Sequence, residues 1–196
     1  SLAMVFEMVL ATPGWHLVAS PLENVNLQQL ENDLELRYFG NPNSASVYWW
    51  NPTSAEYQAI ANNSFNFSAN PINVYVADFL VDAGKGMNND GNLPVKIKLR
   101  GICKNGATTN SVLGYGVASN VLGGDPDGWN LLMNPYPSAI DLDEVFSTLP
   151  VNYQSGAHVY NATNNSYEVR STTTVNNGNE TTIAPGQAFY IKLDAG

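Results

Sequence analysis

Apolar and polar residues alternate along several short stretches of this chain, and the alternation predicts β-strands. In the stretch 95–100, valine, isoleucine and leucine occupy one face and three cations the other. Because successive side chains of a strand point to opposite faces, this pattern predicts a half-buried antiparallel strand. Aromatic and β-branched runs at 47–51, 56–59, 73–78 and 188–194 predict further strands.

Two parts of the chain repeat the same order of signals. The stretches 14–21 and 128–135 share Gly, Trp, Leu and Pro at matching spacing. Each is followed by a short apolar pattern that predicts a helix, then by an aromatic hairpin with an Asn-containing turn, and then by a closing strand. In the second helix we expect Ser138 as the N-cap. Three acidic residues, Asp141, Asp143 and Glu144, fall in its first turns, where carboxylates interact favourably with the positive end of the helix dipole.

These signals predict a mostly β fold, a β-sandwich-like assembly of two diverged strand-rich repeats with a short helix after each Gly-Trp strand. We expect an N-terminal extension or strand at 1–13, a first repeat at 14–82, bridging strands at 83–127 and a second repeat at 128–196, packed as one compact body. The bridge contains a second predicted strand at 113–118.

The composition narrows the range of partners. Charged residues reach 13 %, against about 25 % in an average protein. Eight basic and 17 acidic side chains give a formal net charge of -9, and such a field repels phosphate backbones and anionic lipid. No apolar stretch approaches the roughly 20 residues that a membrane helix requires. We therefore expect neither nucleic-acid binding nor membrane insertion. Cys103 is the single cysteine, and its position after an alternating run predicts a buried strand thiol.

Two motifs resemble a family pattern. The run 128–141, GWNLLMNPYPSAID, and the run 183–191, IAPGQAFYI, are similar to the GWNLxGNPYPSxIDW and IxPGQAFxV motifs of large secreted and surface proteins of Bacteroidetes. In those proteins the motifs often lie near a sorting domain of the type IX secretion system. Met133 stands where that family usually has glycine, and Leu142 where it has tryptophan. The resemblance implies export, a β-rich fold and an accessory role in adhesion or binding.

Aromatic residues supply the candidate ligand site. Trp49 and Trp50 are adjacent, so on a strand their side chains point to opposite faces. One of them is therefore expected to be exposed unless a loop or a neighbouring domain covers it. Tyr57, on the paired strand, could extend such a platform for a sugar or a peptide. Trp15 and Trp129 occupy equivalent positions, for which a core role is favoured over sugar stacking.

Two Asp- and Asn-rich segments are candidates for calcium. In 125–128 and 88–92, carboxylates and amides cluster around glycine, and Asp125 and Asp127 are the candidate ligands. The glutamate that an EF-hand requires six residues after its glycine is absent, since Ile97 and Asn134 occupy those positions. Plain turns are the favoured interpretation of both segments, because Asp-Gly and similar pairs form turns by themselves. We expect no cofactor, with calcium as the candidate ion.

No catalytic constellation is recognisable. His16 and His158 lie in predicted strands without a partner nucleophile, and the acidic residues 141–144 are explained by the helix terminus. The leading interpretation is a non-catalytic extracellular binding, adhesion or spacer module of a larger secreted or surface protein, with a glycan or a cell-surface protein as its partner. The alternatives are an accessory or hydrolase domain of a carbohydrate-active enzyme and a purely structural stalk.

Overall fold

The computed structural model describes residues 3–38, 45–76, 93–105, 113, 127–149, 152–154, 156–171 and 181–194. Within them the chain forms two short helices, α1 (Leu27–Leu30) and α2 (Leu142–Ser147). Its strands, in chain order, are β1 (Ala3–Leu10), β2 (Gly14–Val18), β3 (Leu22–Glu23), β4 (Val47–Asn51), β5 (Glu56–Ala59), β6 (Ile72–Val76), β7 (Val95–Cys103), β8 (Trp129–Met133), β9 (Ile140–Asp141), β10 (Ala157–Asn161), β11 (Ser166–Arg170), β12 (Thr182–Ile183) and β13 (Ala188–Lys192). The prediction of a mostly β, sandwich-like fold is confirmed.

Two four-stranded antiparallel sheets have the same topology. The first has the order β2-β6-β4-β5, and the second, read from its corresponding edge, has the order β8-β13-β10-β11. In each, the Gly-Trp strand pairs with the closing strand, which pairs with the aromatic hairpin. The repeat seen in the sequence is thus a repeat of sheet topology.

The two hairpins turn in the same way. In the first, the Asn51 side chain accepts a hydrogen bond from the Thr53 amide at 2.9 Å, and Ala55 has a positive φ of 49°. In the second, Asn161 accepts from the Thr163 amide at 2.9 Å, and Asn165 has a φ of 55°. The shared Asn-x-Thr pattern therefore builds an Asx turn in both copies.

The polar residue that precedes the last proline of each Gly-Trp stretch, Pro21 or Pro135, has the same structural role in both repeats. Ser20 Oγ accepts a hydrogen bond from the Leu22 amide, and Asn134 Oδ1 accepts one from the Tyr136 amide at 2.9 Å. Both residues are fully buried. Asn134 Nδ2 also donates to the carbonyl of Ile183, which ties this loop to β12. Asn134 thus holds the NPYPS stretch against the rest of the second repeat.

The N-terminal extension and the bridge join in a third sheet. β7 pairs antiparallel with β1 along eight residue pairs and with the short β3 on its other side, in the order β1-β7-β3. Residues 95–100 of β7 alternate between buried and exposed, as the sequence predicts. Cys103 lies at the end of β7 and is half-buried. The second predicted bridge strand falls, apart from Leu113, outside the described residues, and the proposed boundaries between the repeats stay a prediction.

Each repeat has its own hydrophobic core. The first core lies between the β1-β7-β3 sheet and the first four-stranded sheet, and α1 also packs there; its fully buried members include Leu22, Leu27, Leu30, Val47, Phe67, Ile72, Val74, Val76, Ile97 and Leu99. The second core lies beneath the second four-stranded sheet, with α2 and the β9-β12 pair; its members include Leu132, Leu142, Val159, Ile183, Phe189 and Ile191.

Helix α2 begins one turn later than the sequence suggests. Its N-cap is Asp141, whose side chain accepts a hydrogen bond from the Asp143 amide at 2.9 Å. The expectation of Ser138 as the cap is wrong, because residues 140 and 141 first form β9 and pair with β12. Asp143 and Glu144 do lie in the first turn, as expected. Neither described helix is long and apolar enough to cross a membrane.

Candidate functional site

The two four-stranded sheets face each other across an aromatic interface, which we call the seam. It comprises the buried residues Ala19, Leu131, Met133, Ala188 and Tyr190 and the half-buried residues Leu17, Trp50, Tyr57 and Trp129. Because side chains alternate along a strand, each sheet directs one face to its own core and the other to the seam. The seam therefore joins the repeats as a sheet-on-sheet sandwich.

Edge-to-face ring contacts cross the seam. Trp50 of β4 lies 5.2 Å from Tyr57 of the same repeat and 5.4 Å from Tyr190 of β13, measured between ring centroids. Tyr190 in turn contacts Trp129 at 6.1 Å and Tyr167 at 6.0 Å. Edge-to-face pairs of this kind contribute about 0.5–1.5 kcal/mol each beyond the area that they bury. The rings therefore make one continuous aromatic network through both repeats.

Hydrogen bonds fix the seam further. The Trp50 indole Nε1 donates to the carbonyl of Trp129 at 2.8 Å. The Tyr190 hydroxyl donates to the Tyr57 hydroxyl. At one side of the interface the Ala19 amide donates to the carbonyl of Gly186 at 2.9 Å. Burial strengthens such bonds, because water competes less for the same groups.

The structure separates the two adjacent tryptophans. Trp49 packs against the first core, with its ring 6.3 Å from that of Phe65. Trp50 points the opposite way, into the seam, and both are half-buried. An exposed aromatic was expected here unless a neighbour covered it, and the second repeat is that cover. Tyr57 also lies in the seam.

The cavity beside these tryptophans is small. It measures about 30 Å³ and is lined by Trp49, Trp50, Pro71, Leu113 and Leu131, among others. That volume is close to the space of one water molecule. A sugar ring does not enter it in this conformation, so a ligand role for Trp49, Trp50 and Tyr57 stays a prediction that requires the seam to open.

Trp15 and Trp129 lie at equivalent places but differ in surroundings. Both are half-buried on the seam side of their sheets rather than inside the two cores. Trp15 makes edge contacts with Tyr48 at 5.6 Å and Tyr75 at 5.2 Å. Trp129 contacts His158 at 4.7 Å, and the Lys192 ammonium lies 5.5 Å from its ring.

An exposed aromatic patch lies on β11, and it was not among the candidate sites predicted from the sequence. Tyr167 is 49 % exposed and Val169, two positions on, is 38 % exposed. Tyr160 on β10 stands directly opposite Tyr167 and contacts its ring edge-on at 5.1 Å. The signal for this patch was the alternation of Tyr and Val in 166–170, which places both side chains on one face. We call Tyr160, Tyr167 and Val169 the β11 patch.

Burial controls ionisation in and around the seam. It raises the pKa of Tyr57, Tyr167 and Tyr190, so these hydroxyls stay protonated at physiological pH. It lowers the pKa of His16 and, together with the nearby Lys192 ammonium, that of His158. The neutral His16 ring donates from Nε2 to the Thr12 carbonyl at 2.8 Å. These groups are held in neutral form, which suits hydrogen bonding rather than charge recognition.

A second concave surface runs along the N-terminal strand. This groove has a volume of about 430 Å³ and lies between β1, β2 and the 184–187 loop of the second repeat. Its lining includes Phe6, Met8, Leu17, Tyr160 and Gly186. The volume lies within the range of about 300–1,000 Å³ that ligand sites occupy.

The candidate calcium ligands lie only partly within the described residues. Asp125 and the segment 88–92 lie outside the described residues, and Asp127 lies in the turn before β8. Within the described ranges, no three His, Cys, Asp or Glu side chains gather as a metal site would require. Calcium binding by Asp125 and Asp127 stays a prediction.

Fold and surface together define a class: a mostly β protein of two sandwiched repeats, joined by aromatic residues and exposing an aromatic patch and a groove. Comparison of the chain with models of protein families, with curated proteins and with solved structures found no match.

Proposed function

We propose that this chain is a non-catalytic, extracellular binding module of a larger secreted or surface protein, and that it binds glycans through the β11 patch. The resemblance of the stretches at 128–141 and 183–191 to Bacteroidetes surface proteins supports export and an accessory role. The β11 patch supplies the binding chemistry.

One observation carries the proposal: Tyr167 is half exposed yet held in place. Its ring contacts that of Tyr160 at 5.1 Å and that of Tyr190 at 6.0 Å. An aromatic side chain that is already ordered loses little conformational entropy when a ligand stacks on it. Its ring presents an apolar surface to a sugar face, and its hydroxyl offers a hydrogen bond.

The aromatic network also connects the patch to the predicted site. Tyr57 accepts a hydrogen bond from the Tyr190 hydroxyl, and Trp50 packs on Tyr57. The Tyr190 ring in turn contacts that of Tyr167. In this arrangement Trp50 and Tyr57 support the platform from beneath, while Tyr167 makes the contact. Their roles would then be positional, and substitution of either would loosen Tyr167.

The test is a glycan array probed with the wild-type chain and with Tyr167→Ala, Tyr160→Ala and Trp49→Ala. We expect Tyr167→Ala to abolish binding and Tyr160→Ala to weaken it, since aromatic stacking contributes on the order of 1 kcal/mol or more. Trp49→Ala, which alters the first core, should lower the thermal midpoint and leave the glycan preference unchanged. Equal binding by wild type and Tyr167→Ala, or no binding by any of them, would refute the proposal.

A spacer role is the second candidate, favoured by the rigidity that the seam gives to the pair of repeats. The Trp50 indole and the Ala19 amide each bridge the repeats through a main-chain carbonyl. A module built in this way transmits force between neighbouring domains as one body. Single-molecule extension that shows both repeats unfolding in one step would support it, and two separate low-force steps would exclude it.

A further inference from the structure

The N-terminal strand β1 is an edge strand of the β1-β7-β3 sheet and pairs only with β7 among the described residues. It is eight residues long and contains a single charged residue, Glu7, and no proline. Natural edge strands are usually short, charged or covered, because unpaired backbone groups recruit other strands. Within the described residues, Glu7 is the only one of these protections that β1 has.

The register identifies which backbone groups of β1 are unpaired. The Lys98 amide donates to Asp33 Oδ2 at 2.9 Å, away from β1. The Arg100 amide donates to Gln29 Oε1 at 2.7 Å, and its carbonyl accepts from Gln29 Nε2 at 3.0 Å. Residues 98 and 100 therefore form non-hydrogen-bonded pairs with their partners in β1.

Those partners are Glu7, opposite Lys98, and Val5, opposite Arg100. In a non-hydrogen-bonded antiparallel pair, both residues direct their N–H and C=O groups outward. Val9, two residues on, has the same orientation. The open edge of β1 thus presents three N–H and three C=O groups, from Val5, Glu7 and Val9, at the spacing of a β-strand.

The two edges of this sheet are treated differently. On the far side of β7, the Gln29 and Asp33 side chains occupy the main-chain groups of Arg100 and Lys98. A polypeptide strand cannot add there without displacing them. On the β1 side no described side chain does the same, and Val5 and Val9 are 52 % and 51 % exposed.

The 430 Å³ groove lies along this same edge. It is lined by the consecutive residues 6–10 of β1 on one side and by Leu17, Tyr160 and Gly186 on the other. A strand added to β1 would direct alternate side chains into the groove, beside Phe6 and Met8. Its remaining side chains would lie on the outer face, beside Val5, Glu7 and Val9.

The outer face carries positive charge in an otherwise acidic chain. Three cations of β7 are exposed there, and each lies opposite a residue of β1: Lys96 opposite Val9, Lys98 opposite Glu7 and Arg100 opposite Val5. Their long side chains can extend over the neighbouring valines, so they favour acidic side chains at the positions of an added strand that lie opposite Val5 and Val9. Glu7, at the centre of the edge, disfavours an acid directly opposite itself.

We propose that the open edge of β1 binds an extended segment of a partner polypeptide by antiparallel β-strand addition. The segment carries apolar residues at the two positions that face the groove, acids opposite Val5 and Val9, and a neutral residue opposite Glu7. Main-chain hydrogen bonds supply affinity, and the groove and the cations supply selectivity. This inference does not rest on the proposed glycan site, although Tyr160 lines the groove and also belongs to the β11 patch.

The first test uses a fluorescein-labelled peptide, acetyl-Thr-Glu-Val-Thr-Val-Glu-Thr-amide, in fluorescence polarisation with the full chain. We expect saturable binding, and at least about tenfold weaker binding when both Glu are replaced by Lys, or when the central Thr is N-methylated. Amide hydrogen exchange should slow at residues 5, 7 and 9 on peptide addition. Residues 4, 6 and 8, which already face β7, should change little.

The second test blocks the edge. Val9→Pro removes the outward N–H and places the ring at the edge, where proline is tolerated because that N–H has no partner in β7. We expect at least about tenfold weaker peptide binding. Val9→Thr is the matched control, since it keeps the N–H, and Tyr167→Ala should bind the peptide as wild type does. If Val9→Pro fails to fold, the N-methylated peptide on the wild-type chain decides the matter.

Absence of peptide binding at millimolar concentration, or unaltered binding by the N-methylated peptide, would overturn the proposal. So would protection at residues other than 5, 7 and 9. Sedimentation velocity addresses a second copy as the occupant: a wild-type dimer that Val9→Pro converts to a monomer would assign the edge to self-association, and the partner-strand proposal would fail.

Discussion

The contacts of the seam should contribute measurably to the free energy of unfolding, and Trp50→Phe is the substitution that tests this. Phenylalanine keeps an aromatic ring between Tyr57 and Tyr190 but has no donor for the Trp129 carbonyl, which Trp50 Nε1 reaches at 2.8 Å. A buried hydrogen bond contributes about 0.5–1.5 kcal/mol. The smaller ring also weakens the edge contacts, each of which contributes on the order of 1 kcal/mol. We expect the free energy of unfolding to fall by about 1–3 kcal/mol.

Trp15→Phe is the matched control. Trp15 is half-buried on the same face of the same sheet, and its ring contacts, with Tyr48 and Tyr75, lie within the first repeat. Urea denaturation followed by far-ultraviolet circular dichroism compares the two variants, and the same experiment with tryptophan fluorescence reports whether the repeats unfold together. A Trp50→Phe variant that is as stable as wild type within 0.5 kcal/mol, or one affected less than Trp15→Phe, would contradict the description of the seam.

Three further predictions concern single positions. Asp141→Ala should destabilise the chain by about 0.5–2 kcal/mol, because it removes the N-cap of α2, whereas Ser138→Ala should destabilise it much less. Thermal unfolding distinguishes the two variants, and equal losses of stability would contradict the cap assignment. Gly101→Ala should lower the free energy of unfolding by about 1–3 kcal/mol, because a Cβ there would lie 2.8 Å from the Glu23 carbonyl oxygen. Unchanged stability in urea denaturation would refute this close approach. The pKa of His16 is lowered by burial, so its stabilising effect is complete above the unfolded value of about 6.5 and is lost as the pH falls towards the folded value. Between pH 7.5 and 5.5, the wild-type chain should lose more stability than His16→Asn, and equal slopes would count against this origin.

The local signals of the sequence predicted most of the strands. The alternation in 95–100 gave β7 its buried and exposed faces, and the aromatic hairpins formed as expected because their turns contain Asn at the position that Asx turns require. The two Gly-Trp stretches also led to sheets of the same order. These features depend on neighbours within a few residues, which a single sequence records.

Contacts between distant parts of the chain could not be predicted in this way. Alternation states that Trp49 and Trp50 point to opposite faces, but it does not identify Tyr190 as the residue that covers Trp50. Likewise the pattern of residues 3–10 does not identify β7 as the partner strand, because the paired residues are some 90 positions apart in the sequence. The cap of α2 was misplaced for a related reason. β9 pairs with β12 and delays the start of the helix.

Burial along individual strands shows how the layers of the molecule are arranged, and the arrangement accounts for the low charge of the chain. Residues 188–191 of β13 are all buried, although a sheet with one face in water would alternate. Such a run requires cover on both faces, which the second core and the seam provide. β1 and β7, by contrast, alternate, because the β1-β7-β3 sheet has one face on the first core and the other in solvent. The four exposed charges of that outer face, Glu7, Lys96, Lys98 and Arg100, therefore lie where the layered structure ends and the open edge of β1 begins.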